Sequence, residues 1–279
     1  MIKSYCKINL SLRVLKKNKN GFHDIQSNVF LLNIFDEIKI KKNKENKDNI
    51  TFRGKFKKFV NKTNNSIINI LKILRSNELI PKKVKYKIII DKNIPVFAGL
   101  GGGTSNAAFI LKHLVKKKLN FDILKKIEQK VGTDFRLFFN KQTHLVNLKK
   151  IEKFKKKYNF NFILVYPNVK CSTRTIYSNV KNYRKKSYIN ISKIINKNKF
   201  IEAIKREKND LQHIVVTKFK ILDTVINFIK IQKGCYFSRM TGSGSVCYGM
   251  FESEKLASFA LKKIKKKFPK YWTVATKTI

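Results

Sequence analysis

The chain has 279 residues, enough to bury a large core in one or two domains. It carries 63 Lys and Arg against 17 Asp and Glu, a formal net charge of +46, and 43% of its residues are hydrophobic. That hydrophobic fraction is ordinary for a folded protein and argues against disorder. No apolar stretch is long enough to span a bilayer and the first residues contain no hydrophobic signal segment, so we expect a soluble, cytoplasmic protein.

The positive charge resembles the footprint of a nucleic-acid-binding protein. The excess is mostly Lys, however, and it is spread along the whole chain among Asn and Ile, which share A/T-rich codons with Lys. Proteins that read nucleic acid favour Arg and interleave aromatic residues for stacking. We therefore expect no specific nucleic-acid partner, and a basic RNA-associated protein is kept as an alternative.

The cysteines do not indicate disulfides or a metal site. They are far apart in sequence and form no C-x-x-C pair, and a chain of this size does not need disulfides for stability. The histidines are equally scattered, at spacings that do not suit zinc. We expect reduced thiols and no bound metal of the protein's own at Cys6, Cys171, Cys235, Cys247, His23, His113, His144 or His213.

In the first half of the chain, hydrophobic periodicity and turn residues indicate the order of the elements. A turn at residues 18–21 follows the first strand, and a charged loop covers 43–49. A helix follows residues 64–66, where Asn and Ser side chains can cap it. The predicted strands are 4–15, 25–32, 36–42 and 84–90, and a further helix covers 121–131 and ends at Gly132.

The second half alternates helices and strands without a strict order. Predicted strands are 160–166, 235–239 and 246–251, and predicted helices are 192–207, 217–232 and 254–267. Such a mixture favours an α+β fold over a doubly wound sheet. A basic stretch at 147–157 suggests a boundary between an N-terminal domain (1–150) and a C-terminal domain (151–279).

A glycine-rich passage between a strand and a helix is the strongest chemical signal. Glycines let the backbone approach an anion closely, and the following helix adds free N–H groups and the positive end of its dipole. No Gly-Lys-Ser/Thr follows, which excludes a Walker A loop, and the G-x-G-x-x-G spacing of a dinucleotide site fails. Thr104 or Ser105 is predicted to cap the helix. The candidate ATP-binding residues are Pro95, Ala98, Gly99, Leu100, Gly101, Gly102, Gly103, Thr104 and Ser105.

Two weaker signals accompany this loop. A second glycine-serine turn at residues 238–245 lies between predicted strands, and Asp134 follows the helix that ends at Gly132. Taken singly, the turn is an ordinary β-connection and Asp134 an ordinary turn residue.

Together and in this order, the segments resemble the GHMP kinase superfamily, with its N-terminal lysine motif, phosphate loop and C-terminal glycine loop. They are most similar to the family of 4-diphosphocytidyl-2-C-methyl-D-erythritol kinases. Its A-K-I-N-L-x-L, D-G-Y-H, A-G-L-G-G-G-S-S-N-A-A, G-A-D-V-P-F-F, N-D-L and T-G-S-G-S motifs correspond to residues 6–12, 20–23, 98–108, 132–138, 209–211 and 241–245. Cys6, Phe22, Thr104 and Arg136 stand where that family has Ala, Tyr, Ser and Pro.

The resemblance implies a two-domain GHMP kinase-like α+β fold with the active site in the cleft between the domains. It also implies transfer of a phosphoryl group from ATP, which carries Mg²⁺, to the 2-hydroxyl of 4-diphosphocytidyl-2-C-methyl-D-erythritol in isoprenoid (terpenoid) biosynthesis. Asp134 would accept the hydroxyl proton, and Lys7 would pair with it and stabilise negative charge. A monomer or homodimer without membrane attachment is expected.

For the substrate, the resemblance implies that Phe22 stacks on the cytosine and His23 hydrogen-bonds to it. Tyr177 is a candidate for the second aromatic face, and a buried core tyrosine is the alternative. Thr241, Gly242 and Ser243 are further substrate-binding candidates. A homoserine or mevalonate kinase remains an alternative, although neither substrate carries a base for Phe22 and His23 to hold.

Overall fold

The structure, a computed structural model, describes residues 1–19 and 21–279. Asn20, part of the predicted turn and of one motif, lies outside the described residues. None of the described helices is long and apolar enough to cross a membrane. The strands are β1 (Ile2–Lys17), β2 (His23–Asn43), β3 (Asn49–Arg53), β4 (Lys85–Asp91), β5 (Gln142–Leu145), β6 (Ile151–Lys153), β7 (Asn161–Tyr166), β8 (Cys235–Met240), β9 (Cys247–Phe251) and β10 (Trp272–Lys277).

The helices are interspersed among these strands, which confirms the predicted α+β class. Short 3-10 helices occur at Lys57–Phe59, Phe135–Phe139 and Ile191–Lys193. The α-helices are α1 (Ser66–Ser76), α2 (Gly102–Leu114), α3 (Phe121–Val131), α4 (Thr173–Ser178), α5 (Lys197–Arg206), α6 (Gln212–Lys218), α7 (Ile221–Lys230) and α8 (Glu254–Lys267).

The chain forms two compact units that alternate along the sequence. The first unit comprises Met1–Cys6, Ile34–Val96 and Gly101–Phe139, and the second comprises Lys7–Asn33, Phe97–Leu100 and Asn140–Ile279. Strands β1 and β2 each contribute residues to both units, so no single cut in the sequence separates them. The predicted boundary at residue 150 does not coincide with any of these crossings, the last of which lies between Phe139 and Asn140.

In the first unit, β4 pairs antiparallel with the second part of β2, and β3 pairs parallel with β4. Fully buried isoleucines alternate with more exposed residues along these strands, as in Ile38, Ile88 and Ile90. Helix α1 packs against both α2 and α3. The Asn65 side chain caps α1 by accepting hydrogen bonds from two first-turn amides, as the sequence predicted.

In the second unit, the first part of β2 pairs with β5, which pairs with β6. A second sheet has the order β10-β7-β9-β8. Helix α7 packs on β8 and β9, and α8 packs on β10 and β7. Strand β7 is buried along nearly its whole length, which explains why its sequence is continuously apolar rather than alternating.

Several element boundaries differ from the sequence prediction. Residues 25–42 form a single strand, since no Gly or Pro interrupts them and the exposed Asn33 simply faces away from the core. Helix α5 starts only at Lys197, where the Asn196 side chain caps it. The predicted helix 217–232 is two helices, because α6 ends at Lys218 and α7 begins at Ile221. Helices α3 and α8 have the predicted bounds.

An aromatic cluster forms part of the core of the second unit. Phe200 on α5 stacks on Tyr158 with ring centroids 4.2 Å apart, and on Phe160 and Phe30 at 5.4 and 5.9 Å. Phe154 meets Phe200 edge to face at 6.0 Å. Phe200 has no exposed surface, and its ring joins α5 to β2 and to the segment between β6 and β7.

We expect Phe200→Ala to lower the free energy of unfolding by about 3–5 kcal/mol, because it leaves a cavity inside this cluster. Phe259→Ala is the matched control, since that ring is 53% exposed and should cost less than about 1 kcal/mol. Denaturant unfolding followed by circular dichroism measures both values. Equal losses in the two variants would contradict the assignment of Phe200 to the core.

Candidate active site

The first half of the predicted phosphate loop packs against the second glycine turn, within the second unit. Gly99 has φ of +76°, and a Cβ atom there would lie 2.2 Å from the carbonyl oxygen of Thr241. Next to it, the Ala98 carbonyl accepts a hydrogen bond from the Val246 amide at 3.2 Å. The loop and the turn are therefore held together by backbone contacts that only glycine permits at residue 99.

The second half of the loop begins helix α2, within the first unit. Gly101 is the N-cap residue and takes the left-handed conformation, with φ of 69°, and α2 starts at Gly102. The prediction that Thr104 or Ser105 caps the helix is wrong, because both lie inside the first turn and no side chain caps α2. The first-turn amides have no acceptor within the helix, and together with the helix dipole they suit a phosphate group.

The hydroxyl groups of Thr104 and Ser105 form hydrogen bonds within the protein. Ser105 is fully buried, and its Oγ donates to the Tyr5 carbonyl at 2.6 Å and lies 2.8 Å from Ser4 Oγ. Thr104 Oγ1 donates to the Val131 carbonyl at the end of α3, at 3.4 Å. These bonds fix the first turn of α2 against its neighbours in the first unit. Phosphate contact by either hydroxyl stays a prediction.

The predicted catalytic Lys7 lies on β1 in the second unit and is 97% buried. Its Nζ donates to Asn9 Oδ1 at 2.5 Å, and its backbone amide donates to the Leu100 carbonyl at 3.0 Å. Asn9 in turn donates through Nδ2 to Ser27 Oγ at 2.8 Å, and through its amide to Thr241 Oγ1 at 2.9 Å. The lysine side chain is therefore oriented by a network that reaches the second glycine turn.

Asn209 has a role that sequence reasoning did not assign, although it begins the N-D-L motif. Its Nδ2 donates to the carbonyls of Met240 and Gly242 at 2.8 and 2.9 Å, and it is 95% buried. The side chain thus fixes the second glycine turn from behind. In the same turn, the Ser243 hydroxyl is hydrogen-bonded to that of Thr173 at 2.9 Å.

The predicted base Asp134 lies in the first unit, half-buried between α3 and the 3-10 helix Phe135–Phe139. Arg136, which stands where the family motif has Pro, donates from Nε to Glu128 Oε1 at 2.5 Å. Burial raises the pKa of Glu128, the Asp134 charge raises it further, and Arg136 opposes both. Arg136 therefore ties the short 3-10 helix after Asp134 to α3 through Glu128. Among the described residues, no group of three or more His, Cys, Asp or Glu could hold a metal ion.

Two of the residues predicted to hold the cytosine, His23 and Tyr177, are in contact in the second unit. The His23 ring lies 5.1 Å from that of Tyr177 and 6.2 Å from that of Tyr183, each tilted by 34°. Phe22 precedes them in sequence and is 36% exposed. Burial, and secondarily the Lys17 charge, lower the pKa of His23 from 6.5, which favours a neutral imidazole at neutral pH.

Two family models match the chain. Residues 65–136 match the GHMP kinase N-terminal domain, and residues 180–270 match the GHMP kinase C-terminal domain. A relative from Pelagibacter ubique, named 4-diphosphocytidyl-2-C-methyl-D-erythritol kinase, is 35% identical over 100% of this chain and 98% of its own. A kinase of the same name from Wolbachia pipientis wMel is 33% identical over 100% of both chains.

The chain belongs to the 4-diphosphocytidyl-2-C-methyl-D-erythritol kinase family. The fold agrees: a crystal structure of a 4-(cytidine 5'-diphospho)-2C-methyl-D-erythritol kinase superposes with a TM-score of 0.74 at 20% identity, covering 99% of this chain and 98% of the other. A mevalonate kinase structure gives 0.66 at 17% identity, with the same coverage. The resemblance inferred from the sequence motifs and the GHMP kinase fold are both confirmed.

The position of the predicted phosphate loop in this chain depends on the backbone approach at Gly99, and adding a single methyl group tests that dependence. We expect Gly99→Ala to cost several kcal/mol of stability, since the methyl collides with the Thr241 carbonyl in addition to straining the backbone. Gly21→Ala is the matched control, because Gly21 has a similar φ of +82° with nothing within 4 Å of a Cβ. There we expect only about 1 kcal/mol of backbone strain. Thermal unfolding compares the two, and equal shifts would contradict the role of the contact.

Proposed function

We propose that this chain is an ATP-dependent kinase that phosphorylates the 2-hydroxyl of 4-diphosphocytidyl-2-C-methyl-D-erythritol. The observation that carries the proposal is the full-length similarity, at 35% identity, to a relative named for that activity. We also propose that the enzyme acts in the cytoplasm as a monomer or homodimer, without a specific nucleic-acid partner.

In this proposal the substrate MgATP places its phosphates at the glycine loop. The left-handed Gly101 turns the chain into α2, so the amides of Gly102, Gly103 and Thr104 stand at the positive end of the helix dipole. The bonds made by the Ser105 hydroxyl hold this turn in place, which supports a preorganised binding site.

The substrate hydroxyl oxygen attacks the γ-phosphorus, the bond to the β-phosphate oxygen breaks, and ADP leaves. Asp134 accepts the hydroxyl proton in this step, and the Lys7 ammonium stabilises the negative charge that is transferred. The Asn9 side chain supports that role because it orients Lys7 Nζ. Positioning and charge stabilisation account for most of the catalysis in such a reaction.

The cytidine end of the substrate binds at Phe22, His23 and Tyr177 in this proposal. Tyr177 already lies against the His23 ring, and Phe22 is exposed enough to receive a base on its face. A stacked base suits aromatic faces of this kind, and the neutral imidazole can both donate and accept a hydrogen bond. Thr241, Gly242 and Ser243 complete the proposed substrate contacts.

The purified protein should release ADP only when ATP and the cytidyl-diphosphate substrate are both present, in a coupled assay. Asp134→Asn should lower kcat about 100-fold or more, because the amide cannot accept the proton. Asp122→Asn is the matched control, since that exposed carboxylate lies on α3 in the same unit.

Equal turnover with mevalonate or homoserine would contradict the substrate assignment. Full activity of Asp134→Asn, with circular dichroism showing an intact fold, would contradict the role of Asp134 but not the substrate.

Tyr177→Ala should raise KM for the cytidyl substrate about tenfold, since base–aromatic stacking contributes about 1–3 kcal/mol. Its effect on KM for ATP should be small. Tyr188→Ala provides the control, because that ring is 96% exposed. Steady-state kinetics with each substrate varied in turn measures both effects, and a rise in KM for ATP alone would rule out the base-binding role.

A further inference from the structure

Lys92 and Asp36 form an almost fully buried ion pair in the first unit. Their side chains are 2% and 0% exposed, and the ammonium and carboxylate are in direct contact. In a chain with 63 basic residues most lysines can stay in water, and a buried lysine is rare unless it is paired. The cost of removing both charges from water points to a specific reason for the pair.

The Asp36 carboxylate organises the segment that enters the glycine loop. Besides contacting Lys92, it accepts hydrogen bonds from the amides of Asn93 and Ile94 at 2.7 and 2.9 Å. The Lys92 amide donates to the Arg53 carbonyl at 2.9 Å at the end of β3. Residues 92–94 are therefore fixed immediately before Pro95, where the predicted ATP-binding residues begin.

The Lys92 ammonium lies beneath the first turn of α2. A Cβ atom on Gly102 would come within 3.5 Å of Lys92 Nζ and 3.0 Å of Ile94 Cγ2. The first of these distances is ordinary van der Waals contact and the second is tight, so the ammonium lies next to this turn. A cation at a helix N-terminus opposes the helix dipole, and an anion bound there would be stabilised by both.

We propose that Lys92 is a positioning residue for the phosphate loop, held by Asp36, whose ammonium adds positive potential beneath the α2 amides that receive the ATP phosphates. This inference rests on the proposed function, because it assumes that ATP binds at this turn. The proposal gives Lys92, which precedes the loop and lies outside the family motifs, a role in ATP binding.

The test is the double variant Lys92→Met/Asp36→Asn, which removes the cation without leaving an unpaired buried charge. Its matched control is Lys82→Met/Glu78→Gln, which neutralises an ion pair whose side chains are 69% and 77% exposed in the same unit. Isothermal titration calorimetry measures ATP and the cytidyl substrate separately. We expect about tenfold weaker ATP binding in the buried-pair variant, with cytidyl-substrate binding and the control both within about twofold of wild type.

Equal ATP affinity in the two double variants would overturn the proposal, and so would an equal loss of affinity for both substrates in the buried-pair variant. If that variant does not fold, Lys92→Gln/Asp36→Asn is the second test, since its two amides remove both charges and can still hydrogen-bond to each other. It should weaken ATP binding severalfold in a folded protein, and unchanged binding would overturn the proposal. Failure of the wild type to bind ATP would instead refute the proposed function.

Discussion

In the second unit, the candidate site depends on one constraint, the close approach of the backbones at Gly99 and Thr241. Because no side chain fits between the two backbones, the glycine loop and the second glycine turn take a fixed relative position. The turn is held from its other side by Asn209, and its Thr241 hydroxyl accepts from the Asn9 amide. Asn9 then orients Lys7. The main-chain contact and these side-chain hydrogen bonds together connect four separate sequence motifs.

Much of the architecture follows from local sequence, and α3 and α8 show why. Each begins at a polar cap, Asn120 or Ser253, and carries apolar residues at helical spacing, so local propensity and packing agree. Gly132 then ends α3. The glycine loop can also be predicted from the sequence, because its backbone chemistry depends on residue types that are adjacent in the chain.

The parts that sequence reasoning missed depend on partners that are distant in the chain. A hydroxyl in the first turn of a helix can cap it or bond elsewhere, and Ser105 bonds to Tyr5, 100 residues away. Asn209 looked like one polar residue in a short motif until its two carbonyl acceptors were known. The single strand β2 was predicted as two because Asn33 interrupts the apolar pattern on a surface-facing position.

Although the chain is very basic, its few acidic residues neutralise several of the cations that lie inside it. Several of the 17 carboxylates are used on partly or fully buried cations, as in Asp36 with Lys92, Asp48 with Arg75 and Glu207 with Arg13. The lysine excess lies instead on exposed faces, such as the last turn of α8. The lysine-rich composition is therefore seen on the exposed surface, whereas each of these three inner cations has a carboxylate partner.

At residues 104 and 136 the chain departs from its family's motifs, but the replacing side chain still makes a local hydrogen bond. The proposed phosphoryl transfer depends on positions held to within about 1 Å, and backbone contacts and buried side-chain bonds are the means of holding them. Thr104 keeps a hydroxyl that bonds to the Val131 carbonyl, and Arg136 bonds from its short 3-10 helix to Glu128 on α3. Substitutions that preserve such contacts leave the geometry intact. Gly99 has no such latitude, because a side chain there would collide with the Thr241 carbonyl in addition to straining the backbone.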